Sequence, residues 1–267
     1  MGIGAQSPRY RRALYRLFES RYFRRRARTD DGVFQAYVSP SSSLSVLDVR
    51  KSLVDPVHER FIREWVGVDD VVWDIGANLG LFALPAALKV RRGRVYAFEP
   101  DLELAWNLIR SLRLRQNRNL KLSAISVAIS SEDAAAAFQI SRFSRALNKL
   151  ESVGKWRDAF VVPEETRWVP TMRIDTLARS LAAPTVLKID VEGGEMGVLH
   201  GGAQTIATIR PNILIECASE LQDPMAAFFE THRYVLLDGE AEARSPLQRP
   251  VWNTIAIPNE KIAAARL

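Results

Sequence analysis

Ten residues indicate the fold of this chain: Val71-Val72-Trp73-Asp74-Ile75-Gly76-Ala77-Asn78-Leu79-Gly80. A short apolar run ends on an acid, glycines and an asparagine follow, and an apolar helical pattern then begins. This is typical of a buried parallel strand that turns into a helix around a bound ligand. Small residues allow the backbone to approach the ligand, and the helix N-terminus offers unpaired N–H groups and a positive dipole end.

A second acid, Glu99, follows the run Arg94–Phe98 and lies 25 residues after Asp74. In a βαβ unit this spacing places the acid at the end of the neighbouring strand, where its carboxylate can bind a ribose diol. The two stretches together predict a site for a nucleoside-like ligand.

Length and composition favour a soluble globular protein with one domain and an appendage. The chain has 267 residues, of which 47% are hydrophobic and 25% charged, as is usual for such proteins. No window approaches 18 uninterrupted apolar residues, and the N-terminus lacks an apolar core of signal-peptide length. We therefore expect a cytoplasmic location. The single cysteine, Cys217, lies in an apolar run and is interpreted as a buried packing residue.

The positive charge is concentrated at the N-terminus. Residues 1–28, the arginine-rich arm, contain nine arginines and one glutamate, a net charge of +8, so the rest of the chain carries −2 of the overall +6. Apolar residues from Tyr10 to Tyr22 recur at helical spacing between the arginines. The predicted helix has two alternative roles. It packs its apolar face against the rest of the chain, or it contacts anionic lipid at the inner membrane face or another polyanion through residues 9–28. No specific nucleic acid is expected, because no nucleic-acid module accompanies the arm.

We divide the chain into a basic arm with a linker, residues 1–50, and a domain that contains the predicted ligand site, residues 51–267. Within the linker, residues 29–45 predict either an irregular connection or a short hairpin. In the domain, strand and helix patterns alternate, which predicts an α/β fold with a doubly wound, mostly parallel sheet of about seven strands. The predicted elements include a helix capped by Asp55, helices 81–90 and 102–114, a third strand at 120–128, and a terminal antiparallel pair at 234–237 and 254–257.

The middle of the chain, residues 129–170, predicts one strand at 136–140 followed by a long irregular segment with arginines and aromatic side chains. Such a segment in an α/β protein is more often a lid or binding loop than filler. Five cations of this segment suggest an anionic acceptor, although a solvated loop face explains them at least as well: Arg142, Arg145, Lys149, Lys155 and Arg157. Asp175 is then expected to cap a short helix over 176–181.

The second informative stretch is Pro184-Thr185-Val186-Leu187-Lys188-Ile189-Asp190-Val191-Glu192-Gly193-Gly194. Its three charged residues are spaced by two, so in a strand they point the same way or gather around the carboxyl end. Ligands of open α/β sheets bind beyond that end. Burial of three charges without a function would be costly, although one ion pair with Lys188 could be structural.

At this point the sequence closely resembles the FkbM-type methyltransferases, a branch of the class I, Rossmann-like fold that uses S-adenosylmethionine. The resemblance covers roughly residues 55–258 and rests on motifs that occur in the family's order. These are 71–80, Ala97-Phe98-Glu99-Pro100, Ile174-Asp175-Thr176-Leu177, 187–193, and the terminal Trp252-Asn253-Thr254-Ile255-Ala256.

The resemblance implies a cofactor site. It places the residues of the first loop around the methionine half, Glu99 and Pro100 at the ribose, and the end of the third strand at adenine. The implied cofactor-binding residues are Asp74, Gly76, Ala77, Asn78, Gly80, Glu99, Pro100, Ser126, Val127 and Asp190. The chain lacks an acid that many methyltransferases place near the adenine amino group.

Methyl transfer is an in-line displacement, and a base is needed only when the acceptor is a hydroxyl. Asp190 and Glu192 are the candidates for orienting or deprotonating the acceptor, and Lys188 for holding their geometry or lowering their pKa values. His58, on the helix before the first motif, could line the site. No metal is expected, although Asp190, Glu192 and Glu216 could in principle converge on one ion.

We therefore predict an S-adenosylmethionine-dependent methyltransferase that O-methylates a hydroxyl of a sugar, glycan or secondary metabolite. Its acceptor is thus expected to be a small molecule or a glycan. A nicotinamide oxidoreductase is disfavoured because the dinucleotide fingerprint is absent. The alternative from another class is a catalytically idle binding module held at a membrane or polyanion by its arginine-rich arm.

Overall fold

The computed structural model describes residues 21–40, 46, 48, 50–141, 144–153, 163–242 and 245–265. Eight α-helices are present in these ranges: α1 Pro56–Trp65, α2 Ala83–Lys89, α3 Leu102–Leu112, α4 Ile174–Leu177, α5 Glu195–Gly201, α6 Ala203–Ile209, α7 Gln222–Thr231 and α8 Asn259–Ala265. The strands of the same ranges are β1 Phe23–Thr29, β2 Gly32–Val38, β3 Val71–Ile75, β4 Arg94–Phe98, β5 Leu122–Ile125, β6 Ala128–Ile129, β7 Ala134–Ser141, β8 Lys149–Leu150, β9 Pro163–Met172, β10 Val186–Ile189, β11 Asn212–Glu216, β12 Tyr234–Asp238, β13 Pro246–Leu247 and β14 Asn253–Pro258.

The predicted doubly wound sheet is confirmed. Its eight strands run in the order β13-β12-β14-β11-β10-β3-β4-β5. The five strands from β11 to β5 are parallel, and β14 pairs antiparallel with both β11 and β12. Its pairing with β12 is the terminal antiparallel pair that the sequence predicted. The strand beyond the expected seven is the two-residue β13 at the edge. The carboxyl ends of β3, β4, β10 and β11 therefore lie side by side.

The sheet has an apolar layer on each face, because its central strands are buried on both sides. Val72 contributes to the layer that contains α1, α2 and α3, and its neighbour Trp73 to the layer that contains α5, α6 and α7. The layers hold the carboxyl-end loops in fixed positions. No helix among the described residues has the length and hydropathy needed to cross a membrane.

Local signals placed most helix starts correctly. The carboxylate of Asp55 accepts a hydrogen bond from the Val57 amide at 2.8 Å, with Pro56 in the first turn, and Asp101 caps α3. The expected cap at Asp175 was wrong. This residue lies inside α4, and its carboxylate instead accepts hydrogen bonds at the start of α6, including that from the Thr205 amide at 2.8 Å. A contact between distant segments replaces the local cap.

A hairpin is present, one of the two alternatives predicted for residues 29–45, but it begins earlier than expected, because β1 lies almost entirely in the arginine-rich arm and β2 lies in the linker. β1 and β2 pair antiparallel, and Phe34, Ala36 and Val38 on β2 are buried in the layer with α2 and α3. The expected arm helix falls largely on residues 1–20, outside the described residues. Tyr22 precedes β1 without regular structure. The boundary at residue 50 stays a prediction.

The middle segment is more regular than expected. β7 and β9 form a long antiparallel pair within a four-stranded sheet of order β6-β9-β7-β8, here called the small sheet. The predicted third strand divides, since β5 belongs to the large sheet and β6 to the small sheet. Trp168 on β9 is 76% exposed, so its side chain does not line the site. Prolines and charged residues obscure the apolar–polar alternation of residues 163–172, which explains why this strand was not predicted.

Candidate active site

A cavity of about 330 Å³ opens at the carboxyl ends of the parallel strands and is closed on one side by the small sheet. Seven of the predicted site residues line it: Gly76, Asn78, Glu99, Pro100, Val127, Asp190 and Glu192. Five others, Asp74, Ala77, Gly80, Ser126 and Lys188, lie outside its lining. Its volume is within the range of about 300–1,000 Å³ that is usual for ligand sites.

Glu99 extends from the end of β4 into the cavity wall. Its carboxylate accepts hydrogen bonds from the Asn78 amide at 2.7 Å and from the Asp101 amide at 2.8 Å. Burial raises the pKa of Glu99 to about 8, although both amides favour the charged form. Each oxygen keeps a lone pair for a further donor. The two hydrogen bonds therefore hold the carboxylate in place at the cavity and leave it able to accept further hydrogen bonds.

The glycines of the first loop also serve the packing of the fold. Gly76 has φ +78°, and a Cβ there would lie 1.8 Å from the Asp190 carbonyl oxygen. Gly80 has φ +79°, and a Cβ there would lie 2.4 Å from a Leu108 methyl carbon. The loop thus needs glycine to pack against the end of β10 and against α3. Asn78 also has a positive φ, 51°, which asparagine tolerates better than most residues.

A buried chain of charges lies beneath the cavity. The Lys188 ammonium donates hydrogen bonds to the Asp190 carboxylate at 3.0 Å and to the Gly76 carbonyl at 3.2 Å, and lies 3.5 Å from the Asp74 carboxylate. Burial disfavours its charge, but Asp190 and Asp74 outweigh this effect and raise the pKa of Lys188. Burial also raises the pKa of Asp74, with Lys188 opposing the shift. Lys188 thereby fixes the orientation of Asp190, which borders the cavity.

Asp74 is fully buried, and neither carboxylate oxygen has a hydrogen-bond partner among the described residues. It can act on a ligand only through Lys188 and the loop. Glu192 lies beyond the end of β10 with φ +56°. The predicted shared face of the three charges thus holds for Lys188 and Asp190, while Glu192 reaches the cavity from the turn.

Glu216 and Trp252 line the cavity. The sequence named Glu216 only as one of three acids that could converge on an ion, and Trp252 only within the terminal motif. Glu216 ends β11 beside β10, and burial, together with the neighbouring Asp190, raises its pKa to about 8. An acid at the end of a buried strand was the signal used for Asp74 and Glu99, and it would have found Glu216. Trp252 lies in a connection without a comparable signal.

The small sheet contributes the opposite wall. Arg145 forms ion pairs with Asp101 at 2.6 Å and with Glu103 at 2.8 Å. The side-chain amide of Asn148 donates a hydrogen bond to the Asp101 carboxylate at 2.8 Å. The guanidinium that suggested an anionic acceptor is therefore neutralised by acids of α3 and its cap. These contacts join the small sheet to the turn that carries Glu99.

His58 does not line the cavity. Its ring packs edge-on against Phe82 at 5.3 Å between centroids, and burial, with a contribution from Lys188, lowers its pKa to about 4. Within the described ranges, no three His, Cys, Asp or Glu side chains are grouped as a metal site requires.

Residues 74–236, more than half of the chain, match the family described as Methyltransferase FkbM domain. The chain belongs to this family. The resemblance seen in the sequence is thus confirmed, the protein is a methyltransferase, and its cofactor is S-adenosylmethionine.

Similar proteins agree with this assignment. Methyltransferase 1 of Beauveria bassiana is 27% identical over 243 residues, 84% of this chain and 90% of its own length. The hexuronic acid methyltransferase AglP of Haloferax volcanii is 28% identical over 152 residues, 56% of this chain and 57% of its own. A crystal structure of methyltransferase FkbM from Methylobacillus flagellatus superposes with a TM-score of 0.50 at 17% identity. That match covers 76% of this chain and 48% of the other, so this chain spans about half of its length, and the likeness supports the fold.

The cavity lining fits the cofactor. A buried carboxylate, Glu99, offers acceptors of the kind that a ribose diol needs, and the apolar side chains of Phe98 and Val127 line the same cavity. A nucleoside without phosphate groups needs these features and no cationic cradle.

Proposed function

We propose that this methyltransferase transfers the methyl group of its cofactor to a hydroxyl of a sugar, glycan or secondary metabolite. The observation that carries the proposal is that the Asp190 and Glu192 carboxylates line the same cavity as Glu99. A hydroxyl must lose its proton during methylation, and a carboxylate within reach can accept it. A catalytically idle binding module is not favoured by any observation on the described residues or by the relatives.

We assign the cofactor's ribose to Glu99, with Pro100 beside it, and its methionine half to the loop of Gly76, Ala77 and Asn78. When bound, S-adenosylmethionine supplies an electrophilic methyl group on a sulfonium. Val127 and Ser126, at the end of β5, are assigned to the adenine end. Asp74 and Gly80 support this site from beneath, because the buried carboxylate faces Lys188 and the glycine packs on α3.

For the acceptor, we assign Asp190 and Glu192 the task of orienting the hydroxyl and accepting its proton. Lys188 is a positioning residue, since its hydrogen bond to Asp190 at 3.0 Å fixes one carboxylate oxygen and leaves the other available. Positioning supplies a large part of the rate in such displacements.

The sugar class is supported by the relative from Haloferax volcanii, which is named as a hexuronic acid methyltransferase. The cavity lining includes the carboxylates of Asp190, Glu192 and Glu216 together with Trp252. Carboxylates bind sugar hydroxyls well, because each can accept several hydrogen bonds.

Incubation with labelled S-adenosylmethionine and a panel of neutral and uronic-acid oligosaccharides tests this proposal. We expect a labelled product that survives alkaline hydrolysis, as a methyl ether does. Asp190→Asn should lower kcat by about 10²–10⁴-fold, whereas the exposed-site control Glu164→Gln should leave it unchanged. An alkali-labile methyl ester, or label on nitrogen, would contradict transfer to a hydroxyl.

A further inference from the structure

The hairpin turns part of the arginine-rich arm into a flat row of charges. Arg24, Arg26 and Arg28 alternate along β1 with residues that face the body, and all three are exposed. Between them, the Arg25 guanidinium donates to the backbone carbonyls of Val46 and Asp48, and Ala27 is buried. The outward row is therefore set by strand alternation.

Helix α3 extends this row. Arg110 stacks at 4.1 Å over the ring of Tyr37, which is the cross-strand partner of Arg24. Arg113 lies 5.1 Å from the ring of Trp106 on the same helix. The row on β1 and the helix face thus form one continuous surface.

The turn after α3 adds two exposed arginines, Arg115 and Arg118. The turn is fixed to β2, since the Asn117 carboxamide oxygen accepts a hydrogen bond from the Gln35 amide at 3.1 Å. We name the exposed arginines of this surface the arginine platform: Arg24, Arg26, Arg28, Arg113, Arg115 and Arg118.

Acids that could neutralise the platform are few. The sequence contains no acid between Glu103 and Glu132. Glu103 pairs with Arg145 of the small sheet. At the hairpin turn, Asp31 pairs with Lys89 at 3.5 Å, which leaves the neighbouring Asp30 as the exposed acid at that end. The platform therefore carries a strong positive potential.

Exposed apolar side chains border the charges. Leu102 is 64% exposed and Trp106 is 49% exposed, one helical turn apart on α3 and in line with Arg110 and Arg113. Arginines beside an exposed leucine and tryptophan suit the interface of an anionic bilayer, where the charges meet headgroups and the apolar groups enter the acyl boundary. A nucleic acid would satisfy the arginines but leave Leu102 in water.

We propose that the arginine platform, with Leu102 and Trp106, docks the protein on a membrane rich in anionic phospholipid. Leu102 lies two positions after Pro100, which lines the cavity, so one end of the docked surface lies near the cavity lining. The proposal stands on the surface alone and does not depend on the acceptor assigned above.

Co-sedimentation of the full chain with vesicles tests it, using phosphatidylcholine alone and an equimolar mixture with phosphatidylglycerol. The variant Arg24→Gln/Arg26→Gln/Arg28→Gln should bind the anionic vesicles about a hundredfold more weakly, because each arginine near such a surface contributes about 1 kcal/mol. Trp106→Ser should weaken the binding that persists at high ionic strength. All of these side chains are exposed, so circular dichroism should show unchanged folding.

The matched control is Arg179→Gln/Arg233→Gln/Arg249→Gln, which removes the same charge from exposed sites outside the platform. It should bind like the unaltered protein. An equal loss in both triple variants would show that net charge alone attracts the vesicles and would overturn the proposal. Tighter binding to a single-stranded RNA than to anionic vesicles, unaffected by Trp106→Ser, would assign the surface to nucleic acid and overturn it as well.

Discussion

Replacing Lys188 by methionine removes the cation from between two carboxylates while keeping a side chain of similar length. Asp74 is fully buried without a hydrogen-bond partner among the described residues, and the Lys188 ammonium lies 3.5 Å from it. Asp190, by contrast, is partly exposed, with 27% of its side chain accessible, and can be hydrated. The effect of the substitution should therefore arise mainly at Asp74.

Breaking a buried pair by removing one partner costs about 3–5 kcal/mol. For a chain of this size such a loss lowers Tm by on the order of 10 °C. The free energy of unfolding should also depend on pH. Burial raises the folded-state pKa of Asp74 above its usual 3.8, and the loss of Lys188 raises it further, so the folded variant binds more protons than the unfolded chain. Its stability should then fall as pH rises from 3.8 through the folded-state pKa.

Urea unfolding of Lys188→Met, Asp74→Asn and the double variant, measured at neutral and mildly acidic pH, checks this reasoning. The double variant should recover about half of the loss, since the neutral amide needs no cation. Far-UV circular dichroism confirms that each variant folds before the titration. The reasoning is refuted if the double variant is less stable than Lys188→Met, or if Lys188→Met loses stability on acidification.

Two further predictions concern the first loop and the ribose acid. Gly76→Ala should lower the free energy of unfolding by more than about 2 kcal/mol, because the residue has a positive φ and the new Cβ would lie 1.8 Å from the Asp190 carbonyl oxygen. The control Gly197→Ala should leave stability unchanged or raise it, since its Cβ would meet nothing closer than 3.7 Å. Equal effects of the two substitutions in chemical unfolding would contradict this prediction. Calorimetry should show S-adenosylmethionine binding more tightly as pH rises toward 8, because Glu99, with a pKa raised to about 8, must be ionised to accept two hydroxyl donors. Glu99→Gln should abolish this pH dependence and weaken binding of the cofactor about tenfold or more. The control Glu216→Gln should retain the pH dependence. Unchanged binding in Glu99→Gln would reject the ribose assignment.

The sequence by itself determined the elements that depend on local chemistry. Short segments of sequence specify the strand with Asp74, the helix capped by Asp55, and the alternation of strands and helices. The motif order also indicated the family, because each motif ends a buried strand or begins a helix at a recognisable spacing. The acids at the strand ends followed from the same logic, since parallel strands carry their ligand sites at one edge.

The tertiary structure alone decided which groups share the cavity. Arg145 and Asn148 reach it because they lie between β7 and β8, and β7 is held in the small sheet by its long pairing with β9. Such long-range pairing leaves little local signal. The arginine platform depends on the packing of β2 against α3, which joins charges far apart in the chain. Even the need for glycine at position 76 comes from the neighbouring strand's Asp190 carbonyl. Spacing along a chain fixes periodicity and strand ends, but contacts between segments depend on how the apolar layers close, and only the folded chain specifies that.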